Sequence, residues 1–309
     1  SSVFLDRTFT LKAVPDGLFP FSSFTFTNAG VVGRDGPYLT DFLAAYSPTW
    51  TDNSAYFTAT NTNTDRGVQI WTAPKTGTYI IKAAGARGGN SYDIPTNSPY
   101  GAGLGAYSQG RISLTKGTKF AIIVGQAGGD VAGPASAGEY NAGGGGGASW
   151  FLSEDRTTVY AVGAGGGGAN ARRWGSTGAS NGGTSQGNTT TNGGAPGSGT
   201  YGGGGSGFAS AGSGGGGNST GGGWIRATTD TARGGDGFGT NAHGDGGFGG
   251  GGGSYYGGGG GAGYAGGGGI DYYSSPGGLG GSSYHLDTVY RSFNTHTGQH
   301  GFVYIEFVS

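Results

Sequence analysis

Several segments of the chain alternate apolar and polar residues with the two-residue period of half-buried β-strands. The clearest are Arg7–Ala13, Phe24–Thr27, Thr78–Ala84, Lys119–Val124, Ser149–Leu152, Val159–Ala164 and Gly301–Val308. Apolar residues at helical spacing occur from Leu39 to Tyr46, behind Pro37, and predict a single short helix there. The pattern therefore indicates an all-β fold with one short helix.

The alternation also predicts which side chains form the core. In Thr78–Ala84, the side chains of Tyr79, Ile81 and Ala83 share one face of the strand. The same reasoning along the chain gives a predicted sandwich core of Phe24, Phe26, Ile70, Trp71, Tyr79, Ile81, Ile122, Val124, Val303 and Ile305.

From Gly143 to Gly281 the alternation gives way to Gly, Ser, Asn and Thr with isolated aromatic residues. A flexible linker is the usual interpretation of such a stretch. Here, however, the chain returns to a regular strand at Gly301–Val308, whereas a low-complexity tail would simply end. We therefore expect an ordered bundle of parallel and antiparallel polyglycine II helices. Such helices have three residues per turn and must satisfy one another's amides.

These patterns divide the chain into four parts. Residues 1–23 are an N-terminal strand segment, and residues 24–142 are a β-sandwich. Residues 143–281 are the polyglycine II insertion with embedded strands, and residues 282–309 are the closing strands of the sandwich. We interpret the first segment as an inter-subunit connector, because a strand outside the main domain can pair with the open sheet edge of another copy.

Composition narrows the functional classes. Glycine accounts for 79 of the 309 residues, without the triplet period of collagen. A formal net charge of −1 leaves no basic field for nucleic acid. No run approaches the roughly 18 to 20 apolar residues of a membrane span. The sequence has no cysteine, which excludes disulfides and thiolate metal sites.

The chain also contains no methionine. We therefore expect Ser1 to result from processing, as removal of a signal peptide would leave it. This expectation, together with the absence of an apolar span, favours an extracellular protein that is secreted or displayed on a surface. Asn188 and Asn218 begin glycosylation sequons, which are used only where the source glycosylates exposed sites.

A series of motifs occurs in the order found in a known family. They are Phe24-Thr-Phe-Thr-Asn-Ala-Gly30, Gly67-Val-Gln-Ile-Trp-Thr-Ala-Pro74, Gly77-Thr-Tyr-Ile-Ile-Lys-Ala-Ala84, Leu114-Thr-Lys-Gly-Thr-Lys-Phe-Ala-Ile-Ile-Val-Gly-Gln126, Ala142-Gly-Gly-Gly-Gly-Gly-Ala148, Val162-Gly-Ala-Gly-Gly-Gly-Gly168 and Gly301-Phe-Val-Tyr-Ile-Glu306. In this order they resemble the glycine-rich extracellular region of the anaplastic lymphoma kinase and leukocyte tyrosine kinase family. In composition alone, the chain is also similar to tail-fibre tip adhesins of T-even-like phages.

The family resemblance implies a tumour-necrosis-factor-like (TNF-like) jelly-roll sandwich with an inserted polyglycine II bundle. Two features depart from the family pattern. The family has cysteines at the positions of Ala29 and Phe42, so the disulfide there is absent, and these residues include no kinase or membrane segment. The resemblance therefore implies the fold, whereas cytokine binding and signalling do not follow from it.

Motifs for catalysis and metal binding occur without their usual context. Gly178–Gly182, Gly183–Gly187 and Gly217–Gly221 match Gly-x-Ser-x-Gly, but none lies between a predicted strand and a helix. His296 and His300 have the spacing of two ligands on a helix, but the intervening Gly298 and the strand that follows predict a turn. We therefore expect no enzymatic activity, no cofactor and no metal site.

The aromatic residues of the glycine-rich segment are the candidate functional side chains. They include Trp174, Tyr201, Trp224, Tyr255, Tyr256 and Tyr264. We favour a role in capping and covering the glycine bundle. The alternative is a surface on which a sugar or a partner protein stacks.

The sequence thus predicts a non-enzymatic extracellular structural module that assembles with its own copies, as a homo-oligomer or filament, into a fibre or surface layer. Two alternatives stay open. One is a receptor-binding adhesin of a phage or cell surface, whose partner is a glycan or a protein. The other is a ligand-binding ectodomain of the receptor type.

Overall fold

The computed structural model describes residues 17–62, 65–92, 99–131, 142–170, 201–238, 244–270 and 277–309. Within these residues the fold is nearly all β, and two antiparallel sheets form a β-sandwich, as the sequence predicts. The predicted strand Arg7–Ala13 lies outside the described residues.

Sheet A has five strands, each antiparallel to its neighbours. In spatial order they are β1 (Ser23–Phe26), β13 (Phe302–Phe307), β4 (Gly77–Ala84), β7 (Gly105–Leu114) and β12 (Ser292–His296). The last segment of the chain therefore lies between its first described strand and β4, which closes the sandwich.

Sheet B has six antiparallel strands. In spatial order they are β11 (Tyr284–His285), β10 (Val159–Gly163), β9 (Ser149–Ser153), β8 (Lys119–Ile123), β3 (Arg66–Thr72) and β2 (Phe57–Asn61). A small hairpin pairs β5 (Ser91–Tyr92) with β6 (Pro99–Tyr100). The helix α1 (Leu39–Ala45) occurs where the sequence predicts it, and two short 3₁₀ turns occupy Thr49–Asp52 and Gly216–Asn218.

Large apolar side chains fill the space between the two sheets. Of the predicted core residues, Phe26, Trp71, Tyr79, Ile81, Ile122, Val124, Val303 and Ile305 are buried. Phe24 is half-buried and packs against the same cluster. Ile70 is half-buried but packs against the cluster on the opposite face of sheet B, because adjacent residues of a strand point to opposite faces and its neighbour Trp71 points inward. The predicted strand faces are therefore correct except at Ile70.

Sheet B is buried on both faces. Its second face, which carries Val68 and Trp150, packs against Ile225 and Phe248 of the glycine-rich segment. The outer face of sheet A differs, because Thr25 is exposed there and Lys82 is half-buried. Sheet A therefore presents one accessible face.

The glycine-rich segments are joined by main-chain hydrogen bonds. The N–H groups of residues 143–148 donate to three other segments in turn, at N···O distances of 2.8 to 3.2 Å. The donor and acceptor pairs are Gly143 to Ala169, Gly144 to Gly129, Gly145 to Gly252, Gly146 to Gly166, Gly147 to Gln126 and Ala148 to Gly249. The partner segment thus repeats every third residue. A helix with three residues per turn has this period, which favours the polyglycine II interpretation, although that assignment stays a prediction.

Among the described residues, no helix has the length and apolar character needed to cross a membrane.

Candidate functional site

Three of the predicted aromatic residues form one cluster. The ring centroids of Tyr255 and Tyr256 lie 3.8 Å apart, and that of Tyr201 lies 6.2 Å from Tyr255. Phe238 completes the cluster at 4.6 Å from Tyr255. Hydrogen bonding with Tyr256 raises the pKa of Tyr255 to about 12.

Two further predicted aromatics, Trp224 and Tyr264, lie in a second cluster. The ring of Tyr264 stacks between those of Phe208 and Tyr284, with centroids 6.0 and 4.4 Å away. The indole Nε1 of Trp224 donates to the carbonyl oxygen of Phe208 at 2.9 Å. These rings also pack against the core on the second face of sheet B.

The sixth candidate, Trp174, lies outside the described residues. In the first cluster the ring of Tyr255 stacks with those of Tyr201 and Tyr256, and in the second the ring of Tyr264 stacks with those of Phe208 and Tyr284, so these rings contact aromatic neighbours. This arrangement favours anchors that cover the glycine-rich segment. Whether any of these rings binds a ligand stays a prediction.

Of the remaining sequence motifs, those within the described residues form hydrogen bonds with the main chain. Ser219 is buried, and its hydroxyl donates to the carbonyl oxygens of Tyr201 and Gly216 at 2.9 and 3.2 Å. His296 ends β12, and its Nε2 lies 2.9 Å from the carbonyl oxygen of His300 across the predicted turn. The Nδ1 of His300 accepts from the N–H of Ala127 at 3.1 Å. Ser180 and Ser185 lie outside the described residues.

A groove of about 470 Å³ on the outer face of sheet A is a further candidate. Antiparallel pairing places Tyr304 of β13 between Thr25 of β1 and Lys82 of β4, and places Lys82 beside Gln109 of β7. The lining residues are Thr25, Ile80, Lys82, Gln109, Phe302, Tyr304 and Glu306.

The two charged groups of the groove have few partners. The Nζ of Lys82 lies 4.2 Å from the ring centroid of Tyr107 and 5.8 Å from that of Phe302. The hydroxyl of Tyr304 donates to Glu306 Oε2 at 3.1 Å. Neither Lys82 nor Glu306 forms an ion pair with a described residue. Both therefore keep hydrogen-bonding capacity for a ligand.

Sequence reasoning missed this groove. It assigned the inward residues of β4 and β13 and left their outward residues as ordinary solvent-facing positions. The available signal was the cluster of Phe302, Tyr304 and Glu306 at alternate positions of β13. Their proximity to Lys82 depends on the pairing of β13 with β4, which joins residues more than two hundred positions apart.

Comparison with known proteins shows a partial similarity to a receptor. The leukocyte tyrosine kinase receptor of Mus musculus is 33% identical over 118 residues, which are 38% of this chain and 12% of the receptor. The chain thus spans far less than the receptor's length. No protein-family model matches it.

Proposed function

We propose that this chain is a non-enzymatic extracellular recognition module that binds a ligand in the groove on sheet A. The observation that carries the proposal is the convergence of Lys82, Glu306, Gln109 and Tyr304 on a sheet face that neither hydrophobic core covers. Ligand sites commonly combine an apolar and aromatic lining with a few polar groups. A rigid sheet holds such groups in fixed relative positions.

The partial similarity to a receptor supports the extracellular and ligand-binding parts of the proposal. It concerns 12% of the receptor, so the receptor's other activities do not transfer to this chain. Two finer features belong to the same proposal. One is a TNF-like topology of the sandwich, and the other is a polyglycine II conformation of the glycine segments, supported by the three-residue period of their hydrogen bonds.

The non-enzymatic part is supported by the setting of Ser219. Its hydroxyl donates to main-chain carbonyl oxygens, whereas a nucleophilic serine donates to a base. The fibre hypothesis depends on Ser1–Ala13, which lies outside the described residues, and it stays a prediction. The adhesin alternative is compatible with the same groove.

Binding of the labelled chain to intact cells tests the proposal. Flow cytometry over a panel of animal and bacterial cells would measure binding of the unaltered chain and of Tyr304→Ala, Lys82→Ala and Glu306→Gln. We expect saturable binding to some of these cells, and we expect each groove variant to weaken it.

Tyr290→Phe is the matched control. Tyr290 is 64% exposed, lies outside the groove lining and packs under the guanidinium of Arg111 at 4.7 Å. This replacement removes the hydroxyl group of a surface tyrosine and keeps the ring that contacts Arg111, so the groove is not altered. Thermal unfolding establishes that each variant is folded. Absence of binding to every cell type, or binding that all three groove variants retain, would overturn the proposal.

A further inference from the structure

The class of ligand can be inferred from the groups that line the groove on sheet A. Tyr304, Lys82 and Gln109 form one row across three adjacent strands, and Glu306 and Ile80 form the next row. Neighbouring strands are about 4.8 Å apart, so side chains of one row can contact the same small molecule. Both rows therefore carry polar groups, and Ile80 places an apolar side chain beside them.

The charges of the lining cancel. Lys82 supplies one ammonium group and Glu306 one carboxylate, while Gln109, Thr25 and Tyr304 supply neutral groups that can both donate and accept. Arg111, which pairs with Ile80 in the adjacent strand, holds its guanidinium over the ring of Tyr290. The groove thus has no excess of positive charge to select an anion and no excess of negative charge to select a cation.

The rings supply the apolar part. The ammonium group of Lys82 lies over the ring of Tyr107, so that ring already has a cation as a contact. Tyr304 has no ring contact with another described aromatic residue, and its half-buried side chain lies on β13, between Thr25 of β1 and Lys82 of β4. An aromatic ring with a polar tip suits a ligand that has one apolar face and a polar rim.

We infer that the groove binds a neutral oligosaccharide, an inference that rests on the proposed function. A pyranose ring has a C–H face that stacks on an aromatic ring. Its hydroxyl groups each donate and accept, and therefore match an ammonium, a carboxylate, an amide and a phenol together. The volume of about 470 Å³ lies in the range of small-molecule sites, roughly 300 to 1,000 Å³. A sulfated or carboxylated sugar would meet the carboxylate of Glu306 without an excess of cations to offset it.

An array of immobilised oligosaccharides, with neutral, sulfated and sialylated members, tests the inference. We expect the chain to bind neutral members. We expect titration calorimetry with a bound oligosaccharide to show a loss of more than about tenfold in affinity for Tyr304→Ala. Tyr304→Phe retains the ring and loses the hydroxyl, so its loss should be smaller. Glu306→Gln should weaken binding, and Tyr290→Phe, which keeps the ring under Arg111, should change the affinity by less than about twofold.

Ionic strength provides an independent readout. Binding of a neutral ligand should change little between about 50 and 500 mM NaCl, whereas binding of a charged ligand should weaken, because salt screens exposed charges. Tyr304→Phe and Glu306→Gln are nearly isosteric and keep the test valid if Tyr304→Ala fails to fold.

The outcomes separate the ligand class from the proposed function. Binding confined to charged oligosaccharides, with strong salt dependence, overturns the neutral-saccharide inference. So does cell binding that requires Tyr304 when no oligosaccharide binds or competes, and in that case the recognition function stands. Failure to bind both the array and the cells overturns both.

Discussion

The β-sandwich and the glycine-rich segment are both well packed, but different atoms are in contact in each. Between the sheets, ring side chains such as Trp71 and Phe26 fill the interior. In the glycine-rich segment the main chains themselves approach closely, and a side-chain atom on Gly260 would collide with the carbonyl oxygen of Gly267. The two regions should therefore respond oppositely to mutation. Removing atoms should destabilise the sandwich, whereas adding a single carbon should destabilise the glycine-rich segment.

The largest loss of folding stability is expected for Gly260→Val. The N–H of Gly260 donates to Gly203 and its carbonyl accepts from Gly252, both at 2.9 Å, so the backbone cannot shift without breaking bonds to two segments. We expect loss of cooperative folding, or a cost above about 5 kcal/mol, measured by urea unfolding. Gly101→Val is the control, because a side chain at Gly101 meets nothing within 4 Å, and it should cost less than about 1 kcal/mol.

Hydrogen exchange on the unaltered chain examines the same network without a mutation. Amides of residues 143–148 should exchange slowly, because each is bonded to another segment. Rapid exchange across these residues, or equal effects of the two glycine variants, would contradict the bonded arrangement.

The next largest effect is expected in the sandwich. Trp71 is fully buried, and its ring lies 6.0 Å from Tyr79 and 6.1 Å from Phe120. Trp71→Ala should lower the free energy of unfolding by about 3 to 5 kcal/mol, as truncations of buried aromatic residues do. Val289→Ala, at a side chain that is 75% exposed, should change it by less than about 0.5 kcal/mol. A loss below about 1 kcal/mol for Trp71→Ala would show that this core is less tightly packed than the structure indicates.

The same contrast explains what the sequence could predict. Alternation located β1, β4, β8, β9, β10 and β13 because their inward residues are large and apolar. It missed β7, whose inward positions include Ala106, Ser108 and Gly110. Small residues are needed there because neighbouring groups lie close, as His285 does beside Gly110. Local hydrophobicity carries no signal when tight packing selects small side chains.

The candidate site was harder to predict than the fold. The aromatic residues of the glycine-rich segment were identifiable, but their division into two clusters depends on contacts such as Tyr201 with Tyr255, which are distant in sequence. The groove depends in the same way on the register of β13 with β4. Periodicity predicts which face a side chain occupies, and it does not determine which strands are neighbours.

An intermediate effect on stability is expected from protonation of His285, whose buried ring lies beside Gly110 of β7. Its side chain is 1% exposed, and its Nδ1 accepts from the N–H of Asp287 at 3.0 Å. Burial lowers the pKa of His285 to about 4, against a partial offset from the carboxylate of Asp287, while Arg291 lowers it further. The folded protein therefore holds this imidazole neutral in mildly acidic solution.

The lowered pKa of His285 determines how the free energy of unfolding changes with pH. Between the unfolded pKa of about 6.5 and the folded pKa of about 4, the unfolded chain binds a proton that the folded chain does not. Stability should therefore fall as pH falls through this window, by about 2 kcal/mol from pH 6.5 to pH 5. Urea unfolding at the two pH values should show that His285→Gln removes this component, whereas His296→Gln does not. Equal pH dependence in the unaltered chain and in His285→Gln would assign the effect to other groups.

The smallest change in the free energy of unfolding is expected from deleting Ser1–Ala13. This prediction concerns the sheet edges of the sandwich, and it involves neither of the two packed regions. In the described part of the chain, β1 pairs only with β13 and β12 only with β7, so both edges of sheet A have free backbone groups. The deleted sequence alternates Val3, Leu5, Phe9 and Leu11 with Phe4, Thr8, Thr10 and Lys12, as a strand would. If it joins the sheet of a neighbouring copy, the contact is head to tail and propagates without closing.

We then expect the full chain to form oligomers or filaments in sedimentation velocity and negative-stain microscopy. The deletion variant should be a folded monomer whose free energy of unfolding changes by less than about 1 kcal/mol. A full-length chain that stays monomeric at high concentration, or a deletion variant that still assembles, would rule out the connector. A deletion that lowers stability without changing the state of association would instead identify Ser1–Ala13 as a strand of its own subunit.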